Sequence, residues 1–118
     1  MSSQRVRKGD VVLVDIPYLS GAQFVKRPAL VVCDSARMLD VIIAGITSRV
    51  RSPLPATHYV IAAGHPDWSD SGLRMESAVR CDRLFTIDHA DVHRIVGRLS
   101  SATLLEVDAR LRIALAIA

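Results

Sequence analysis

Arg80 and Asp82, within Val79-Arg80-Cys81-Asp82, have the types and the spacing to do chemistry. In an extended strand side chains alternate between faces, so Val79 and Cys81 point one way and Arg80 and Asp82 the other. A guanidinium and a carboxylate then stand side by side on a face predicted to be exposed. One reading is an ordinary surface ion pair, worth at most about 1 kcal/mol. The other is a phosphodiester site. There the carboxylate takes a proton from a 2′-hydroxyl while guanidinium groups hold the charge growing on the phosphate. Just beyond, Arg83-Leu84-Phe85 cannot all satisfy strand alternation, which predicts a bulge.

A second constellation flanks two short apolar runs, Pro28 to Cys33 and Val41 to Ile46. Both are β-branched, bounded by polar residues and too short for a helix, so they read as buried strands. The segment Asp34 to Asp40 is short enough to join them as antiparallel neighbours. That pairing brings Arg27, at the start of one strand, to the edge where Thr47 and Ser48 end the other. A guanidinium beside two hydroxyls suits a phosphate. Further candidate contacts for a nucleic acid are Ser48, Arg49, Arg51 and Trp68, and Gln23 is the one clear hydrogen-bonding side chain of the Tyr18 to Lys26 loop. The stretch Arg49 to Ala56, with two prolines, reads equally as a solvated connector or as a basic lip over a nucleic-acid groove. Trp68, the sole tryptophan, lies in Gly64 to Gly72, which is loop by composition. It could stack on a base, fill a partner's groove or cover the core.

His89 and His93 have i, i+4 spacing, but no Cys or third His with ligand spacing accompanies them. They are expected to be solvent-exposed, and neither a metal nor any other cofactor is predicted. Cys33 and Cys81 fall inside predicted strands and are expected to be reduced core thiols.

These residues need a frame. Val11 to Ile16 reads as a first strand ended by Pro17, which has no N–H for a ladder. His58 to Ala62 is a further strand candidate, Glu76 to Ile87 the longest strand-like segment, and Val92 to Leu99 a mixed one. Gly97 there predicts a bulge or a close approach. The end is helical: Thr103-x-x-Glu106 has capping-box spacing, and Leu104, Val107, Leu111 and Leu115 recur at helical intervals. From Ile113 to Ala118 everything is apolar, so this tail is expected to pack on the sheet or on a second subunit. Five or six short strands and one helix predict a mainly β fold, a small and partly open β-barrel in one domain over 1–118.

The 118 residues are half hydrophobic but only 4% aromatic, so aliphatic side chains must build the core. A net charge of +3 is a mild bias toward anionic partners. No apolar run approaches the roughly 20 residues of a membrane span. Met1 to Arg5 lacks the apolar core of a signal peptide, so the expected location is cytoplasmic.

Five blocks in order carry a resemblance to a known family: Gly9 to Val14, Lys26 to Val32, Ile46-Thr47-Ser48, Thr86-Ile87-Asp88 and Gly97 to Ser100. Together they resemble the signature blocks of the MazF/PemK toxins, from Gly9 through the last helix. The resemblance implies an SH3-like barrel, a homodimer, and a sequence-specific endoribonuclease held inactive by a cognate antitoxin. It also implies cleavage of single-stranded RNA without metal, leaving a 2′,3′-cyclic phosphate and a 5′-hydroxyl. Val79 to Asp82 is similar to the Kid/PemK branch, where the matching Asp and Arg are base and acid. Another branch credits the positions of Arg27 and Thr47, and this chain carries both sets. The PemK branch also has a histidine in the loop before the Arg-Pro motif, and Ser20 to Val25 contains none. Arginine stays protonated above pH ~12, so Arg80 and Arg27 are cast here as electrostatic clamps. The alternative of another class is a CcdB-like binder that poisons DNA gyrase, which would need neither a basic groove nor the Arg/Asp pair.

Overall fold

The structure is a computed structural model that describes residues 5–17, 24–34 and 40–118. Six strands form one antiparallel sheet: β1 (Asp10–Pro17), β2 (Phe24–Cys33), β3 (Asp40–Thr47), β4 (His58–Ile61), β5 (Ser77–Asp88) and β6 (Val92–Arg98). Their order across the sheet is β4-β5-β3-β2-β1-β6. The edge strands β4 and β6 are not paired with one another, so the barrel is open, as predicted. A short helix α1 (Trp68–Ser71) follows β4, a 3₁₀ turn (His89–Asp91) follows β5, and α2 (Ser101–Leu115) closes the chain.

The central strands are apolar on both faces, and two clusters fill those faces. Val11, Leu30, Ala44, Ile46, Val79 and Cys81 lie on one, with Val107, Leu104 and Leu111 of α2 packed over them. Val12, Val14, Ala29, Val31, Val41 and Ile43 lie on the other, with Phe85, Ile87 and Ile95. The aliphatic residues that composition demanded are thus split in two by strand alternation. Neither cysteine is in a disulfide; Cys81 is buried and Cys33 half-buried.

Two predictions of local structure give way. The cap of α2 is Ser100, whose hydroxyl accepts from the Thr103 N–H at 3.3 Å. Thr103 is the third helical residue and is buried, so the helix begins a turn before the Thr103-x-x-Glu106 spacing suggests. The Gly64–Gly72 stretch is not all loop, because Trp68 opens α1. Its tryptophan is half-buried against the helix-side cluster. Gly97 is both things predicted of it. The β1–β6 register shifts beside it, and a Cβ at Gly97 would lie 2.2 Å from the Ser71 carbonyl carbon. The apolar tail packs on the core in part: Ala114 lies against the helix-side cluster, while Ile113, Leu115 and Ile117 are each more than half exposed, as is Leu105. The connection over residues 35–39 lies outside the described residues.

Candidate active site

β5 positions the site. It pairs with β3 as Ala44↔Leu84 on one side of a register shift and Gly45↔Arg80 on the other. Cys81, Asp82 and Arg83 therefore stand outside the β3 ladder as a bulge, two residues earlier than the Arg83-Leu84-Phe85 stretch where one is predicted, because Leu84 and Phe85 stay paired with β3. The bulge is anchored from the other side, where the Cys81 N–H donates to the Thr57 carbonyl at 3.0 Å. Gly45 leaves room beneath it, since a Cβ there would lie 3.4 Å from Cδ of Arg83. Arg83 is exposed, with its aliphatic stem over that glycine.

Alternation holds through the start of this segment. Val79 and Cys81 are buried, while Arg80 and Asp82 reach out of the core and engage each other. Arg80 Nε donates to Asp82 Oδ1 at 3.1 Å and Nη2 donates to Oδ2 at 2.9 Å. This two-pronged bond is the chief reason the Asp82 carboxyl is held below its usual range; burial opposes it. The same bond raises the Arg80 pKa, so the guanidinium stays cationic.

His58 is the site residue that reasoning from sequence missed. It opens β4 and pairs with Arg80 across the ladder, which sets its Nε2 3.5 Å from Asp82 Oδ1. The imidazole side chain is only 1% exposed. Its Nδ1 is buried and has no hydrogen-bond partner among the described residues. Burial is the main cause of its lowered pKa; Arg80 and Arg51 push the same way, and Asp82 opposes them. Nothing local in His58-Tyr59-Val60-Ile61 announces this. Only the pairing of β4 with β5 does.

The remaining predicted residues take these places. Arg27 is half-buried on β2 and has interaction partners. The β2–β3 register runs Leu30↔Ala44, Ala29↔Gly45. Continued to the strand ends, it sets Arg27 opposite Thr47, on the sheet face that carries Arg80. Thr47 accepts the Arg49 N–H on its Oγ1 at 3.1 Å, which fixes the turn out of β3. Ser48, Arg49 and Arg51 are exposed, and Arg51 lies near enough to act on His58. Trp68 is elsewhere: α1 packs against β6, the strand at the opposite end of the sheet order from β4. Gln23 lies outside the described residues.

The other histidines divide. His93 is exposed and meets Asp15 at 3.0 Å, as expected of a surface residue. His89 is buried, contrary to expectation, because its Nδ1 accepts the Val6 N–H at 3.2 Å and ties the N-terminal segment down. Among the described residues, no three of His, Cys, Asp or Glu converge as a metal site would require.

In sequence, no curated protein matches the chain. In structure, it is similar to the Mycobacterium tuberculosis toxin MazF-mt6, at 21% identity and a TM-score of 0.72 over 92% of this chain and 98% of that one. It is similar also to a mycobacterial endoribonuclease solved in complex with its cognate antitoxin, at 20% identity and a TM-score of 0.74 over 97% and 98%. A third likeness is to MazF in the MazE–MazF complex of Deinococcus radiodurans, at 19% identity and a TM-score of 0.66 over 94% and 95%. At these identities the likeness speaks for the fold. The family model for PemK-like, MazF-like toxins matches residues 7–115. With nearly its whole length under that match, the chain belongs to the PemK-like, MazF-like toxins of type II toxin–antitoxin systems.

Proposed function

We propose that this toxin is a sequence-specific endoribonuclease that cuts single-stranded RNA, mRNA above all, in the cytoplasm and without a metal, and so arrests translation and growth. The observation that carries this reading is the Arg80–Asp82 pair, a carboxylate gripped by a guanidinium on an accessible bulge. Asp82 takes the proton of the 2′-hydroxyl, and O2′ attacks the adjacent phosphorus. The bond from phosphorus to the 5′-oxygen breaks, and water supplies the proton to that oxygen. The products are a 2′,3′-cyclic phosphate and a 5′-hydroxyl. Arg80 and Arg27 hold the charge that builds on the phosphate oxygens, and Thr47 donates to it from the opposite strand end. Ser48, Arg49 and Arg51, with Gln23, contact the flanking nucleotides.

The resting geometry supports this order of events. A carboxylate held below its usual pKa by Arg80 is a weak base. A phosphate entering beside it competes for the same guanidinium. As Arg80 turns to the phosphate, Asp82 loses its strongest partner and gains basicity where the 2′-proton has to go.

The exposed apolar residues Leu105, Ile113 and Leu115 of α2, with Ile117 just beyond it, support a homodimer, since each is more than half exposed among the described residues. The partner that silences the enzyme is a cognate antitoxin, as in the neighbour solved with one. The test is incubation with long single-stranded RNA in excess EDTA. Cutting at defined sites to cyclic-phosphate ends is expected, and 2′-deoxy substitution at the cut position should abolish it while RNA binding persists. Cleavage of the deoxy substrate, or a strict metal requirement, would refute the mechanism.

A further inference from the structure

We infer that His58 is a positioning residue for the proposed base: a neutral imidazole that donates from Nε2 to Asp82 and takes over its Oδ1 when Arg80 turns to the phosphate. The inference rests on the ribonuclease reading above and adds to it a residue that acts through Asp82.

Asp82 Oδ1 faces Arg80 Nε at 3.1 Å and His58 Nε2 at 3.5 Å. An ionised carboxylate can only accept, so Nε2 must carry a proton for the contact to be attractive. The other nitrogen then settles the charge. Nδ1 is buried, with no acceptor among the described residues, so protonating it would strand an N–H in the core. The charged groups that face His58 are Asp82 and Arg80 of β5 and Arg51 of the segment before β4. Two cations and burial outweigh one carboxylate, which keeps the ring neutral. His58 thus has one tautomer open to it, with the proton directed at Asp82.

At 3.5 Å, His58 Nε2 lies farther from Oδ1 than Arg80 Nε does at 3.1 Å. While Arg80 Nε holds that oxygen, His58 is the weaker of two donors. Once the phosphate draws the guanidinium away, His58 is the donor left to fix the carboxylate, and it stands on a different strand from the bulge. Arg80 cannot do this work during the reaction, since its donors are then on substrate. A buried ring 1% exposed does not move with the RNA, so Asp82 keeps its aim.

Two measurements test this on the full-length chain. The first is nitrogen-15 NMR of the histidine side chains, with His58 identified by its loss in His58→Gln. A proton fixed on Nε2, with no titration across the neutral range, is expected. A proton on Nδ1, or a charged ring at neutral pH, would overturn the inference. The second is RNA cleavage against pH for His58→Leu and His58→Gln. Leu removes the donor, so kcat should fall about 10–100-fold with KM nearly unchanged. The acid limb of kcat should move to higher pH, because Asp82 loses a hydrogen bond to its ionised form. Gln presents an N–H at the Nε2 position and should recover most of the rate and return the limb. A folded Leu variant with the parental rate and limb would overturn the inference, as would Gln and Leu variants equally impaired with an unmoved limb. Should Leu fail to fold, the NMR result decides. Should the parent cut no RNA at all, the ribonuclease reading falls, and the NMR result still decides whether His58 donates to Asp82.

Discussion

Asp67 and Asp82 are both held below the usual carboxylate range, and they are held by different kinds of partner. Asp67 is buried, which alone would raise its pKa; hydrogen bonds from Thr103 and Ser100 outweigh that. Its Oδ2 accepts from the Ser100 N–H at 2.8 Å and the Ser100 hydroxyl at 2.9 Å. That joins the approach to α1 to the cap of α2. These partners are backbone and cap, fixed by the fold, and no ligand can recruit them. Asp82 is held mainly by Arg80, a flexible side chain two residues away with the charge and fork that suit a phosphate. A depressed carboxylate therefore does not by itself mark a working site. What separates the two is whether the group that holds the carboxylate can be called away.

The largest expected effect breaks this comparison most cleanly. Asp82→Asn keeps the shape but not the base, so the cleavage rate should drop about 10²–10⁴-fold, with the melting temperature within a few degrees of the parent. Asp67→Ala should behave inversely. It strands the Ser100 and Thr103 donors and should cost about 2–3 kcal/mol, read as a shift of roughly 10 °C in thermal unfolding. Below its melting temperature it should cut RNA at the parental rate. If Asp82→Asn melts far below the parent, or Asp67→Ala is the inactive variant, the roles have been assigned the wrong way round.

The difference also explains what the sequence disclosed. Arg80 and Asp82 were legible because their relation is local: strand alternation and charge put them on one face without knowledge of the fold. A bulge near Asp82 was legible for the same reason, since Arg83-Leu84-Phe85 breaks the alternation, but its place was not: Leu84 and Phe85 stay in the β3 ladder and Cys81 to Arg83 leave it. The ordered blocks from Gly9 to Ser100 carried the fold family. His58 was not legible because its role depends on which strand β4 pairs with, and in what register. Asp67 was hidden for a like reason: its partner Ser100 lies 33 residues on. The same blindness misplaced the start of α2, where two hydroxyls three residues apart, Ser100 and Thr103, compete for the cap. Only tertiary contact with Asp67 selects Ser100. His89 read as a surface residue because its partner is the distant Val6 backbone.

Ser100→Ala sharpens the structural half of the comparison at lower cost. It removes the cap on Thr103 N–H and one of the donors to Asp67, while the Ser100 backbone donor stays. About 1 kcal/mol of stability should be lost, less than for Asp67→Ala. Chemical denaturation of both single variants and the double variant would show coupling, because the residues share one hydrogen-bonded group. Additive losses would mean that the cap and the Asp67 bond are independent.

The smallest effect is a dependence on pH. A carboxylate whose folded pKa lies below its unfolded value, about 3.9 for Asp, contributes stability that is fully present above that unfolded value. The contribution fades as pH falls through the folded pKa, when the folded state must take up the proton. Both aspartates obey this sign, so the parent should lose stability progressively below about pH 4. Their shares differ. The Asp82 side chain is 37% exposed, so solvent screens its pair with Arg80 and its share should stay under about 1 kcal/mol. Asp67 is buried and bonded to fixed donors, so its share should be the larger. Melting curves between pH 3 and 7 would then be nearly parallel for Asp82→Asn and the parent, whereas Asp67→Ala would be flatter through the acid region. If the Asp82→Asn curve is the flatter one, Arg80 is a structural anchor rather than a guanidinium that a phosphate can recruit.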